Sequence, residues 1–193
     1  MIVEYRLIRK KSGVIIEDSG WKPSRSFVIQ FLRWVFQVHT GATNVKVIDT
    51  SGTERTIGRG TPYWKQIGYV MAGAGVDTFG IQVGTGTTSP SNTDYSLESK
   101  ITSGTEAGQL EYGSQQITDP TIVGSYVDLL LTRDFTNASG GTVTVKEIGV
   151  VIRVADSGGT YRYFLILRDV LDTPKDILNG ETLTVQYKLR TQA

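Results

Sequence analysis

The sequence predicts a mainly β protein, an antiparallel β-sandwich or jelly-roll-like barrel with one apolar helix near residues 24–39. Three observations carry this. Tyr126 to Arg190 holds four strand-like runs separated by turn signals. Glycine, with 22 residues of 193, joins abundant serine and threonine to punctuate the chain about every ten residues. Only one long helix candidate interrupts that pattern.

Val3, Tyr5 and Leu7 alternate with Glu4, Arg6 and Ile8, and side chains on a strand point to opposite faces with period two. Arg9-Lys10-Lys11-Ser12-Gly13 turns the chain, and Val14 to Glu17 returns as the second half of a hairpin. Arg9, Lys10 and Lys11 are candidate polar contacts to phosphate or an acidic partner, although three charges at a hairpin tip are more often only solvated. Ser24 to His39 reads as the helix, with Ser24 as its cap and Gly41 as its stop. Ser26, Gln30, Arg33 and Gln37 form one narrow polar stripe, and Phe27, Val28, Ile29, Phe31, Leu32, Trp34, Val35, Phe36 and Val38 cover the rest. A helix apolar on most of its circumference needs cover on more than one side. It either plugs the open face of the sandwich or packs on a neighbouring subunit, and the two readings stand level. Phe31, Trp34 and Phe36 are its candidate anchors. His39, in the last turn, reads as a cap interaction with the helix dipole.

Asn44–Ile48 and Glu54–Ile57 flank Asp49-Thr50-Ser51-Gly52-Thr53 and predict a second hairpin. Its Asp-Thr-Ser-Gly is a turn; the aspartic-protease signature has glycine directly after Asp-Thr or Asp-Ser. Tyr63 and Trp64, in a loop opened by Gly58, offer an aromatic platform. Phe79, Ile81 and Val83 make a strand, and the Gly84-Thr85-Gly86 that follows lacks the lysine and helix of a phosphate loop. Tyr95 to Ser99 could form a short helical piece, Thr102 to Gly108 is loop, and Leu110 and Tyr112 begin another strand. In the long C-terminal stretch Val127, Leu129, Leu131, Arg133 and Phe135 share one face. Val143 and Val145 are out of phase with Ile148, Val150, Ile152 and Val154, which predicts a β-bulge at Lys146-Glu147. Tyr161–Leu167 and the alternating Leu183, Val185, Tyr187 and Leu189 complete two hairpins and a meander, expected to lie in one sheet. No linker divides the chain, so a single β-domain spanning 1–193 is expected, with residues 1–60 as an assembly-contact portion.

The absence of cysteine excludes disulfides, thiolate metal sites and cysteine nucleophiles. One histidine excludes multi-histidine zinc sites, and a net charge of +1 gives no global electrostatic case for nucleic acid or an anionic membrane. The first residues lack the apolar run of a signal peptide, and Phe27 to Val38 is too short and interrupted to span a bilayer. A soluble protein made in a cytoplasm is expected, with no cofactor and no bound metal. Nucleophile-elbow, metalloprotease, Walker and EF-hand patterns are all missing. Asp77, Asp94, Asp128 and Asp134 could meet as catalytic carboxylates, but acids beside turns are usually turn formers. Calcium at Asp94 or at Asp172 to Asp176 has no pattern behind it.

Five segments carry a resemblance: Val83 to Pro90 with Asp94-Tyr95-Ser96-Leu97, Phe135 to Gly141, Val145 to Gly149, Leu167 to Val170, and Gly180 to Tyr187. Across residues 81–190 they resemble virion proteins of tailed bacteriophages, of the tail, fibre and capsid-decoration kind. The resemblance implies a compact β-sandwich used for assembly, with no catalytic residues to carry over, residing in the virion after synthesis in the host cytoplasm. Its partners would be copies of itself and other capsid or tail subunits. Two rivals remain. One is a carbohydrate-binding adhesin-type module stacking sugars on Tyr63 and Trp64, or on Tyr161 and Tyr163. The other is a carboxylate-dependent hydrolase.

Overall fold

A computed structural model describes residues 1–24, 27–58 and 68–192. The chain opens with β1 (Ile2–Lys11), β2 (Val14–Asp18) and β3 (Lys22–Pro23), followed by α1 (Ile29–Thr40) and the β4 (Val45–Ile48) and β5 (Glu54–Ile57) pair. Four short strands come next: β6 (Gly80–Gly84), β7 (Glu111–Tyr112), β8 (Gln116–Ile117) and β9 (Thr121–Val123). Four long ones close the fold: β10 (Tyr126–Thr136), β11 (Val143–Ala155), β12 (Tyr161–Ile177) and β13 (Glu181–Gln192).

Every pairing between these strands is antiparallel. The larger sheet runs β2-β1-β13-β10, with β7, β8 and β9 sharing the far edge of β10 and β3 pairing β1 beyond the end of β2. The smaller sheet runs β12-β11-β6. Their inner faces meet in one core. Tyr5, Leu7, Phe135, Val185 and Tyr187 come from the larger sheet, and Ile81, Val83, Val145, Ile148 and Leu167 from the smaller. This is a sandwich built as the alternation dictates: Val3, Tyr5 and Leu7 face inward opposite Leu189, Tyr187 and Val185.

The four long strands do not share a sheet as the sequence predicts. β10 and β13 are neighbours in the larger sheet, while β11 and β12 form a hairpin in the smaller one. Alternation fixes which face a side chain occupies but not which strand lies alongside, so nested pairs and a meander read alike. The two crossovers, 137–142 and 178–180, run together and are stapled by the buried Asn137. Its backbone N–H donates to Glu181 O (2.9 Å), its Nδ2 donates to Gly141 O (2.8 Å) and Ile177 O (2.6 Å), and its own carbonyl accepts from Gly180 N (2.8 Å).

The slip in phase at Lys146-Glu147 is real. The ladder breaks between Val145 and Glu147, and Val143, Val145, Ile148 and Val150 all reach the core. The surplus lies on the other strand, where residues 171–174 stand against Lys146 alone, and Pro174 has no N–H to pair. A second break follows Val150.

The helix starts later than the sequence predicts. Val28 sits at its N-cap with no side-chain cap, and the Ser24 hydroxyl donates to Asp169 Oδ2 (2.7 Å) instead. Phe27 is still extended, bridging Leu167 on β12. Gly41 stops α1 in the left-handed region (φ 62°) and donates its N–H to Gln37 O. Residues 95–99 contain no helix: Asp94 and the turn at 91–94 are held by side-chain contacts instead.

Candidate interaction surfaces

The helix is turned inside out. The two buried residues of α1 are Gln30, 1% exposed, and Gln37. Both belong to the polar stripe. Gln30 Oε1 accepts from the Ile48 N–H (3.0 Å), so the stripe satisfies the end of β4. The apolar flank that carries Ile29, Leu32 and Phe36 faces away from the protein. Leu32 is 62% exposed and Phe36 55%, with Ile29 and Val38 also exposed. Beside Leu32 a cleft of about 350 Å³ is lined by Phe27, Val28, Ile29 and Asn92. Of the three helix anchors, only Phe36 is exposed. Trp34 packs on the Val47, Ile57, Ile152, Val154 and Phe164 cluster, and Phe31 stacks on Phe27 at 4.4 Å. His39 Nδ1 lies 2.8 Å from Val35 O, a local contact within the last turn.

The three cations of the first hairpin separate. Arg9 is inside the ladder, not at the tip: its Nη1 donates to Asp176 O (2.7 Å), and it pairs with Glu17 and Glu181. Lys10 reaches Asp134 at 4.0 Å, and Lys11 is exposed beside the Ser12-Gly13 turn, where both φ angles are positive. On the returning strand Val14, Ile15 and Ile16 are exposed, and at the opposite edge of the same sheet so are Ile117, Ile122 and Val123. Sequence reading passed over Val14-Ile15-Ile16; three successive β-branched apolar residues on a short hairpin strand were the available signal.

The segments behind the virion resemblance converge on polar hubs in the interior. The fully buried Glu147 accepts from the Gly86 and Ser99 N–H groups through Oε1 and from Glu98 N and Arg168 Nε through Oε2. Arg168 also donates to Asp94 Oδ2 (2.8 Å), Thr88 O (3.1 Å) and Glu98 Oε2 (3.4 Å). Burial works against its charge, but the Asp94 and Glu147 carboxylates outweigh it and raise its pKa. Gly84 and Gly86 are explained here: a Cβ on either would sit 2.5 Å from Glu147 Oε1. The other segments, Phe135 to Gly141 and Gly180 to Tyr187, frame the crossover corner held by Asn137.

A second hub was visible only as a charge in an apolar phase. Arg133, on the inner face of β10, is fully buried. Its guanidinium donates to five backbone carbonyls, those of Gly73, Val76, Phe79, Ile81 and Gly113, and lies 4.8 Å from the Tyr112 ring centre. Burial pushes its pKa down to about 10, so it stays charged at neutral pH.

The four acids considered for catalysis go to different partners: Asp77 to Ser103 N and Lys100, Asp94 to Arg168, Asp128 to Arg190, and Asp134 to Thr184. Asp49 is a turn former, accepting from Ser51 N, Thr53 N and Arg55 Nε; burial opposes its ionisation, but these donors and the Ser51 hydroxyl hold its pKa below the usual range. Tyr63 and Trp64 lie outside the described residues. Tyr163 stacks on Phe79 at 6.0 Å, and Arg153 lies over the Tyr161 ring at 4.6 Å. Among the described residues no group of three His, Asp or Glu could hold a metal ion, and no helix is long and apolar enough to cross a membrane.

No protein-family model, curated protein or solved structure matches the chain.

Proposed function

We propose that this protein is a structural subunit of a tailed-bacteriophage virion, a decoration, tail or fibre component made in the host cytoplasm. It works by contacts with its own copies and with other capsid or tail subunits. The observation that carries the assembly part is the inside-out helix. A large apolar side chain contributes roughly 1.5–3 kcal/mol when fully buried. Leu32 and Phe36, 62% and 55% exposed, forgo more than half of that in an isolated chain, and Ile29 on the same flank forgoes part of it, while two glutamines of the same helix are sequestered. Contiguous exposed apolar surface of this kind marks contact sites. Exposed apolar strands at both edges of the larger sheet add two further surfaces, which suits a subunit touching several neighbours, where many weak contacts sum to a stable particle. The virion assignment rests on the five resembling segments, three of which build the Glu147 hub and two the crossover corner.

The test is the mass of the protein in solution over a range of concentrations, followed by binding to purified phage capsid and tail subunits. A discrete oligomer, or saturable binding that Phe36→Glu abolishes, supports the reading. A chain that stays monomeric at every concentration and binds no virion component overturns it.

A further inference from the structure

A cleft of about 270 Å³ opens on the outer face of the smaller sheet. Gln82 lines it. This residue lies on β6 between Ile81 and Val83, which point into the core, so its own side chain points the other way. It is only 4% exposed all the same, and its Nε2 donates to Asp77 O (2.7 Å). Its Oε1 has no donor among the described residues and is left open to the cleft. Four hydroxyls share the lining, those of Thr50 in the β4–β5 turn, Thr78, Ser96, and Tyr163 on β12. None of the four is hydrogen-bonded within the described residues. Two apolar surfaces join them. One is Leu97, which is admitted by a glycine: a Cβ on Gly149, the partner of Gln82 on β11, would sit 2.9 Å from Leu97 Cδ2. The other is the Tyr163 ring, stacked on Phe79. Apolar walls with a few convergent polar groups are the usual make-up of a small-molecule site.

Charge decides the class of ligand. Among the described residues Lys100 is the only charged side chain in the lining, and Asp77 holds its Nζ through O (3.0 Å) and Oδ1 (3.2 Å). The cation is answered within the chain, and the Gln82 carbonyl oxygen repels an anion. Asp77 offers little to a positive ligand, for its Oδ2 accepts from Ser103 N (2.9 Å). What remains is one strong acceptor, four groups that both donate and accept, and two apolar walls. That set matches a neutral molecule carrying several hydroxyls on a C–H framework.

We propose that this cleft binds one ring of a neutral saccharide. Gln82 Oε1 accepts from a sugar hydroxyl, the Thr50, Thr78 and Ser96 hydroxyls exchange hydrogen bonds with its neighbours, and Leu97 and Tyr163 meet a C–H face. Of the aromatic residues considered from sequence as sugar platforms, Tyr163 is the one among the described residues that lines it. The inference goes beyond the assembly reading and does not rest on it, since no described residue of the cleft belongs to α1 or to the larger sheet.

The test is a titration of the full chain, followed through its amide resonances, with the methyl glycosides of glucose, galactose, mannose and N-acetylglucosamine, and with inorganic phosphate. A single small cleft holds one ring weakly, with a Kd of roughly millimolar order. At least one glycoside should shift the amides of Thr50, Gln82 and Ser96 saturably, and phosphate should shift none of them. Gln82→Leu removes the acceptor and should weaken binding about tenfold. Gln82 also bonds to Asp77, so Thr78→Val and Ser96→Ala decide the matter if that variant folds poorly. Their hydroxyls hold nothing together in the fold, and each change should weaken binding about threefold or more with an unchanged melting curve. No saturable shift with any of the four glycosides overturns the proposal. So does phosphate binding here as tightly as the sugars, or sugar binding that none of the three variants weakens.

Discussion

Two arginines among the described residues are buried in this sandwich, and they are made tolerable in opposite ways. Arg168 sits among the carboxylates of Glu147, Asp94 and Glu98. Arg133 bonds only to carbonyl oxygens, with an aromatic ring beneath it. In the first case charge is answered by charge, and the site is tied to the ionisation of its acids. In the second the charge is answered by backbone dipoles, and the cation organises the loops that supply them: residues 73–81 and Gly113 converge on one side chain. A buried guanidinium can thus be a counter-ion or a template, and only the template has no partner to rescue its loss.

The largest expected effect comes from removing the template. Arg133→Met leaves five carbonyls, those of Phe79 and Ile81 in the interior, without their donor and should cost about 3–5 kcal/mol in urea unfolding. A loss under about 1 kcal/mol would show that water replaces the guanidinium easily. Next, Glu147→Gln removes the charge that Arg168 faces and places an amide NH₂ against backbone donors. About 2–3 kcal/mol is expected, and the double variant with Arg168→Met should recover part of it, since the stranded cation is gone. Recovery of nothing would mean the backbone bonds of Glu147, not its ion pair, carry the site. Gly86→Ala drives a Cβ onto Glu147 Oε1 and Glu98 Cβ and should cost about 1–3 kcal/mol; an unchanged melting temperature would show that the 84–99 loop can shift away.

Acid separates the two sites further. The Glu98 pKa is lowered, first by the Thr88 backbone N–H and hydroxyl and then by Thr87 and Arg168. A carboxyl depressed in the folded state contributes stability that is complete above its unfolded value, near 4.5, and lost as pH falls through the lower folded value. Glu98→Gln should therefore flatten part of the decline in stability below that pH, whereas Arg133→Met should keep the wild-type slope. Equal slopes in all three proteins would detach Glu98 from the Arg168 hub. Smallest of all in stability, within about 0.5 kcal/mol, is Phe36→Glu; its effect belongs to assembly, and a large drop in stability would return that ring to the interior.

Much of the sandwich was legible. Alternation located β1, β10, β11 and β13, and the phase slip at Lys146 located the ladder break. The neighbours of each strand were not, because period-two patterns carry no information about partners; the five-residue break from Asn137 to Gly141, long for a tight hairpin, was the one local hint of a crossover. Helix orientation was misleading for a different reason. Its polar stripe is narrow enough to be buried at Gln30 and Gln37, and the half-buried backbone N–H of Ile48 recruits Gln30. Gly84 and Gly86 could be excluded as a phosphate loop from sequence, yet their cause, the carboxylate of a residue over sixty positions away, exists only in three dimensions.

The pairing of β1 with β13 bears on how the chain folds. β1 is zipped along its full length, from Ile2 opposite Arg190 to Lys11 opposite Glu181, by β13, which is synthesised long after it. Until then the β1–β2 hairpin must wait with both of its edges bare and Val14-Ile15-Ile16 in solvent. Folding should be slow for a chain of this size, limited by a late long-range closure. Ribosome-bound or truncated chains ending before β13 should be the species that aggregate and call on chaperones.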